Sequence, residues 1–141
     1  MKNINLLNYL NPKNICRIIK IKLSDVFEIV AGKSITEKSC ENGNYNLIGS
    51  SKNNNGIIRH INKYDFNENL YTINKNGSVG YLFKQIEKFA RTCDVLVLKS
   101  KNKYYTDINN FIITLLVSNT FNYSCKFNNE EFKLMNVYIY L

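Results

Sequence analysis

The sequence predicts an α+β domain built on a twisted, mainly antiparallel sheet of roughly five to eight strands, with two or three helices. Three observations predict it. Short apolar runs recur at intervals of about 10 to 14 residues with polar turns between them, the rhythm of antiparallel strands. One segment, from Asp107 onward, follows the helical period instead. The 141 residues are 45% hydrophobic and 13% aromatic with only 6 Gly and 1 Pro, which suits one domain with its own core. That composition excludes disordered and collagen-like chains.

The elements follow in order. Residues 1–14 are polar around Leu6, Leu7 and Leu10, and read as an N-terminal extension ahead of a single domain over 15–141. Residues 15–22, ICRIIKIK, alternate as a strand. Ser24 is placed to cap a short helix in LSDVFEIV, with Asp25 and Glu28 near its positive end and Gly32 as its stop. A polar loop over 33–44 leads into five strand-like runs: YNLIGS (45–50), GIIRHI (56–61), LYTI (70–73), VGYLF (79–83) and CDVLVLK (93–99). SSKNNN, NKYDFNEN, NKNGS and KQIEKFART read as the breakers between them. The Asn-Gly of KNGSVG suits a type I′ hairpin turn. Asp107 then caps a helix with apolar residues at 108, 111, 112, 115, 116 and 121. The tail EEFKLMNVYIYL supplies a helical turn and a final strand over 137–141.

Charge narrows the partner class. The 19 Lys and Arg outweigh 11 Asp and Glu, a net charge of +8 that both halves of the chain share equally. A polyanion meets the folded body and not a basic tail, although charge alone does not choose among nucleic acid, an acidic membrane surface and an acidic protein. The four cysteines, Cys16, Cys40, Cys93 and Cys125, form no CxxC, and His60 is the only histidine, so a structural zinc is not expected. Cys93, in the run CDVLVL, reads as a buried small thiol. The N-terminus lacks the pattern of a signal peptide, and FIITLLV at 111–117 is too short to span a bilayer. No membrane partner and a reducing, cytoplasmic location are therefore expected. The 24 asparagines are spread through strand patterns and form no tract, which points to an AT-rich source genome and not to a prion-like segment.

Catalytic patterns are sparse. His60 sits on a strand-like run, where a half-exposed structural role is the ordinary reading. Neither GxGxxG nor GxxxxGK[ST] occurs, so no phosphate-cradling cofactor loop and no cofactor is expected. Asp107 with Glu131, Phe132 and Lys133 has the outline of a D…ExK metal site. A helix cap and a helical turn are the wrong elements for one, and a solvated charged turn is the better reading.

What remains is basic and amide-rich. SSKNNNG at 50–56 gathers Ser50, Ser51, Lys52, Asn53, Asn54 and Asn55 on one turn, with Arg59 just after it. INKNGSVGY at 73–81 gathers Asn74, Lys75, Asn76 and Ser78 on a second. Tyr45, Tyr64, Tyr71 and Tyr81 flank both turns. Lys and Arg pair with phosphate or guanine, and Asn with adenine. Asn, Gly, Ser and Lys are also what ordinary surface turns are made of. Composition alone leaves the two readings open.

The ordered set of segments KLSDVFEIVAGKSI, YNLIGSSKNNNGIIRHINKYDF, LYTINKNGSVGYLF and KFARTCDVLVLKSK resembles a target recognition domain. Such domains occur in type I restriction-modification specificity subunits and in the related BcgI-like enzymes. The resemblance runs from about Lys22 to Lys101 and continues more weakly through the 107–120 helix and KLMNVYIYL. It implies a non-catalytic DNA-binding module whose loops enter the major groove of double-stranded DNA and read half of a bipartite site. Gly32, Gly49, Gly56, Gly77 and Gly80 would be structural turn residues. Lys33, Ser51, Lys52, Asn53, Asn54, Arg59, Lys75, Asn76 and Ser78 would be the DNA contacts.

The resemblance further implies a partner methyltransferase or other protein subunit. Full specificity subunits resemble two recognition domains joined by long helices, and this sequence stops where such a helix is expected. A single module is expected to pair as a homodimer or to join a larger complex. The alternative is a repurposed, non-enzymatic subunit that packages or tethers nucleic acid in a virion or another nucleoprotein assembly, or binds protein.

Overall fold

The centre of the molecule is set by the uninterrupted apolar run of residues 95–98. A strand buried on one face alternates apolar and polar residues, whereas one buried on both faces does not. A computed structural model of the chain, which describes residues 18–101, 107–121 and 127–140, has this run as a central strand buried on both faces. Leu96 and Leu98 enter one core cluster and Val95 and Val97 the other.

The chain runs β1 (Ile18–Lys22), α1 (Leu23–Val26), β2 (Phe27–Ile29), β3 (Asn42–Ile48), β4 (Ile57–Ile61), β5 (Leu70–Asn74) and β6 (Leu82–Gln85). It continues through β7 (Phe89–Arg91), β8 (Val95–Ser100), α2 (Asp107–Thr120), α3 (Asn129–Leu134) and β9 (Asn136–Tyr140). This is an α+β fold. Among the described residues the nine strands form three sheets, not one curled sheet: β1-β9, β2-β8-β5-β6 and β4-β3-β7. Every pairing is antiparallel except β3 with β7.

The larger core lies between the four-stranded sheet and a layer made of α2, α3 and the β1-β9 ribbon. Phe27, Ile73, Leu98, Ile113, Val117, Phe127 and Val137 meet there at 0% exposure. Each such side chain contributes about 1.5–3 kcal/mol relative to exposure, so this layer holds the sheet rigid. The cluster of Ile48, Phe89, Val95 and Val97 joins the β4-β3-β7 sheet to the back of β8, and Leu47, Ile61, Ala90 and Cys40 form a separate small cluster on that sheet.

Four local expectations are corrected. The helix expected over LSDVFEIV lasts only four residues, with Lys22 and not Ser24 at its N-cap. Phe27–Ile29 becomes strand because its backbone pairs with Ser100–Leu98 of β8 and Phe27 is buried there. Residues 89–91, expected to be part of a breaker, form β7, which runs parallel to Asn46–Ile48 of β3. Cys93 is exposed, because it lies at the turn before β8 and not within the strand. The α2 stripe is rotated: Asn109, Ile113 and Val117 are buried, while Ile108, Phe111 and Leu115 remain exposed. Asn109 explains the rotation. Its amide donates to the Tyr140 carbonyl at 2.9 Å and accepts from the Tyr140 N–H at 2.6 Å, tying α2 to the end of β9.

The expected N-terminal extension over 1–14, Cys16 and Cys125 lie outside the described residues.

Candidate nucleic-acid interface

Two polar loops leave the sheets on the same side and meet. The first, 49–56, joins β3 to β4 and closes on itself: the Gly49 N–H donates to the Gly56 carbonyl at 3.0 Å. Within it the Ser51 hydroxyl donates to the Asn53 carbonyl and accepts from the Asn53 N–H, at 3.2 and 3.1 Å. Asn54 and Asn55 take left-handed backbone angles, φ 50 and 55, which Asn tolerates better than most residues. The Asn55 amide donates to the Lys84 carbonyl at 3.0 Å, and the Gln85 amide returns a bond to the Asn55 carbonyl at 3.0 Å. Gln85 itself is held by buried Thr72 at 3.0 Å. The loop is thus anchored at its far end, and Lys52, Asn53 and Asn54 stand exposed on it.

The second loop, 75–81, connects β5 to β6. It is a hairpin connection of seven residues and not the two-residue type I′ turn expected from Asn-Gly. Asn76 is absent from the positive-φ positions, and only Gly77 and Gly80 of this loop are left-handed. Its Asn76 side chain faces inward. The Asn76 amide donates to the Asp94 carboxylate at 2.8 Å, and the Lys75 N–H donates to the Asp94 carbonyl at 2.9 Å. The Lys75 carbonyl accepts from Phe127 at 3.2 Å, which fastens the loop to the segment leading into α3.

The loops are joined directly. The amide of Asn74, at 0% exposure, donates to the Ser51 carbonyl at 2.9 Å and to the Ser78 carbonyl at 3.0 Å. The Ser50 hydroxyl donates to the Asn76 carbonyl. One composite ridge results, with Ser51, Lys52, Asn53, Asn54, Lys75, Asn76 and Ser78 all on it.

The two remaining expected contacts lie elsewhere. Lys33 sits at an exposed corner whose backbone N–H donates to the Asp65 carboxylate at 2.7 Å. A shallow cleft of about 280 Å³, lined by Ser34, Thr36, Gly49, Ser50 and Asp94 among others, runs from that corner to the ridge. Arg59 is tied into the fold. Its guanidinium donates to the carbonyls of Glu37 and Cys40 at 2.8 and 2.7 Å, and to the Asn42 side chain at 2.8 and 3.2 Å.

Sequence reasoning missed Arg91, Asp94, Gln85 and the inward role of Asn74. Arg91 donates to the carbonyls of Val95 and Gly32 at 2.8 and 2.9 Å, so it holds the corner that carries Lys33. Burial pushes its guanidinium below the ordinary value, opposed by nearby Asp65 and then Cys93. The signal for Asn74 was faint: a polar residue closing the apolar run LYTI ahead of a turn. The D…ExK outline is divided between the start of α2 and the middle of α3, where Lys133 pairs with Glu130 at 3.5 Å. Among the described residues no helix is long and apolar enough to cross a membrane.

Comparison with known proteins identifies the family. The family model described as the type I restriction modification DNA specificity domain matches residues 19–139. A type I specificity subunit of Mycoplasma pneumoniae is 32% identical over 127 residues, 82% of this chain and 42% of that protein. A second from the same organism is 36% identical over 84 residues, covering 58% of this chain and 23% of that one. The specificity subunit of the type II restriction enzyme BcgI from Heyndrickxia coagulans is 33% identical over 85 residues, 59% and 25% of the two chains. The solved S subunit of a type I restriction-modification system from M. genitalium has the same fold, with a TM-score of 0.72 over 93% of this chain and 36% of that one at 12% identity. The chain spans less than half the length of each of these relatives. With a family match over nearly all of its described length, the chain belongs to the type I restriction-modification DNA specificity domains.

Proposed function

We propose that this domain reads double-stranded DNA by presenting the composite ridge to the major groove. The observation that carries the reading is the union of the two loops, with Asn74 and Ser50 clasping them so that Lys52, Asn53 and Asn54 stand outward on a fixed base. A pre-ordered loop loses little conformational entropy on binding, which leaves its amide donors and acceptors for base edges. Lys52, Lys75 and Lys33 supply phosphate contacts, and Ser51 and Ser78 border them. Arg59 and Asn76 serve from behind, since their donors are already engaged by the fold.

In this reading the domain is non-catalytic and intracellular. It works beside a methyltransferase or other protein subunit, as part of a homodimer or a larger complex. Selection from a random duplex pool is the deciding experiment, and enrichment of a short motif is the expected result. Retained binding with no enriched motif would reject base reading, and no binding at low salt would reject DNA as the partner. With three phosphate contacts, log affinity falls against log salt with a slope of about −2.7.

A further inference from the structure

We infer that Asn74 is the positioning residue that sets the spacing of the two reading loops, with Ser50 as a second clasp. The inference rests on the DNA reading above for its functional half and on geometry alone for its structural half. Asn74 ends β5, at the point where the strand leaves the core, and is fully buried. Its backbone holds its own loop: the N–H donates to the Tyr81 carbonyl at 3.1 Å, and its carbonyl accepts from Gly80 at 2.8 Å. Its side-chain amide spends one N–H on each loop, at Ser51 and at Ser78. A single planar group therefore fixes both distances at once.

The other half of the amide sharpens the point. The Asn74 Oδ1 is buried and has no hydrogen-bond partner among the described residues. A buried acceptor without a partner is costly. An apolar side chain would avoid that cost but would leave the carbonyls of Ser51 and Ser78 unclasped. What the Asn side chain adds at this position is the two donors. Those donors also tie down a loop rich in Asn and Ser: Ser51, which bonds Asn53, is itself held at its carbonyl. Asn74 thereby acts on Lys52, Asn53 and Asn54 without touching DNA.

The test uses Asn74→Asp, nearly the same shape but with an oxygen facing two carbonyl oxygens. Amide hydrogen exchange is read across residues 50–55 and 75–81, alongside duplex-pool selection on protein shown to be folded by circular dichroism. Expected are exchange faster by about tenfold in both loops, affinity weaker by about tenfold and a selected motif that loses definition, while the salt slope stays. Unchanged exchange in a folded variant overturns the clasp. Faster exchange with the motif and affinity intact overturns the positioning role in reading. Should the wild-type protein bind no DNA, the DNA reading fails while exchange still decides the clasp. If Asn74→Asp does not fold, Ser50→Ala, which removes the second clasp from a half-buried position, is judged by the same two readouts.

Discussion

The two loops of the ridge have nearly the same vocabulary and opposite assignments. Loop 49–56 exposes Lys52, Asn53 and Asn54 and settles its backbone through Ser51 and Asn55. Loop 75–81 turns its amides inward, Asn76 to Asp94 and, from the strand before it, Asn74 to both loops. Burial decides the difference. Where an Asn side chain meets solvent, its donors and acceptor are available to a ligand. Where it meets the core, it must satisfy itself internally, and it becomes part of the frame. In the proposed function the first loop is then the reader and the second the frame, and mutations can pull the two apart.

The largest effect is expected in the frame. Gly80 has φ +90, and a Cβ built there would lie 2.5 Å from the Ser118 nitrogen and 2.8 Å from the Val117 carbonyl carbon, both backbone atoms of α2. Neither can yield as a flexible side chain would. Gly80→Ala combines left-handed strain with this clash and should cost about 3 kcal/mol in urea unfolding. In the first loop, Asn55→Ala at φ 55 should cost about 1–2 kcal/mol, since it loses the amide bonds to Lys84 and Gln85 and keeps the left-handed strain but meets no clash. Equal costs would show that the second loop is not pinned to the helix.

Arg59 comes next in size. Its guanidinium serves the carbonyls of Glu37 and Cys40 and the Asn42 side chain, so Arg59→Ala should cost about 1–2 kcal/mol. Its salt slope on duplex DNA should equal that of the wild type. A slope shallower by about 0.9 would return Arg59 to the set of phosphate contacts.

How far the sequence discloses these roles follows from the physics of each residue. Strand runs such as LYTI and CDVLVLK announce themselves because a buried strand needs consecutive β-forming apolar residues. β2 and β7 do not, because each is three residues long and exists only by pairing with β8 or β3. The face of α2 was equally hidden. Its segment is apolar around most of its circumference, and the tie between Asn109 and Tyr140 selects the buried side. Spacing and composition located both loops of the ridge, since turn chemistry is local. Which amide points in and which points out depends on Asp94, Ser51 and Ser78, residues brought together by the packing of separate sheets.

Smaller effects on stability sharpen the reader's side. Lys52 is exposed, so Lys52→Ala should shift stability by less than about 0.5 kcal/mol while flattening the salt slope by about 0.9. That inverts the result expected for Arg59. Asn54→Gly is a similarly mild change. Asn54 already sits at φ 50, where glycine is at ease, so the backbone needs no adjustment and unfolding should move by only about 0.5 kcal/mol. What disappears is one exposed amide, with both its donors and its acceptor. If that amide reads a base edge, the motif selected from a random pool should relax at one position by about 1–3 kcal/mol of discrimination while the salt slope holds. An unrelaxed motif would mean that Asn54 is on the ridge for its backbone angle alone, and would leave base reading to Asn53 and the residues beside it.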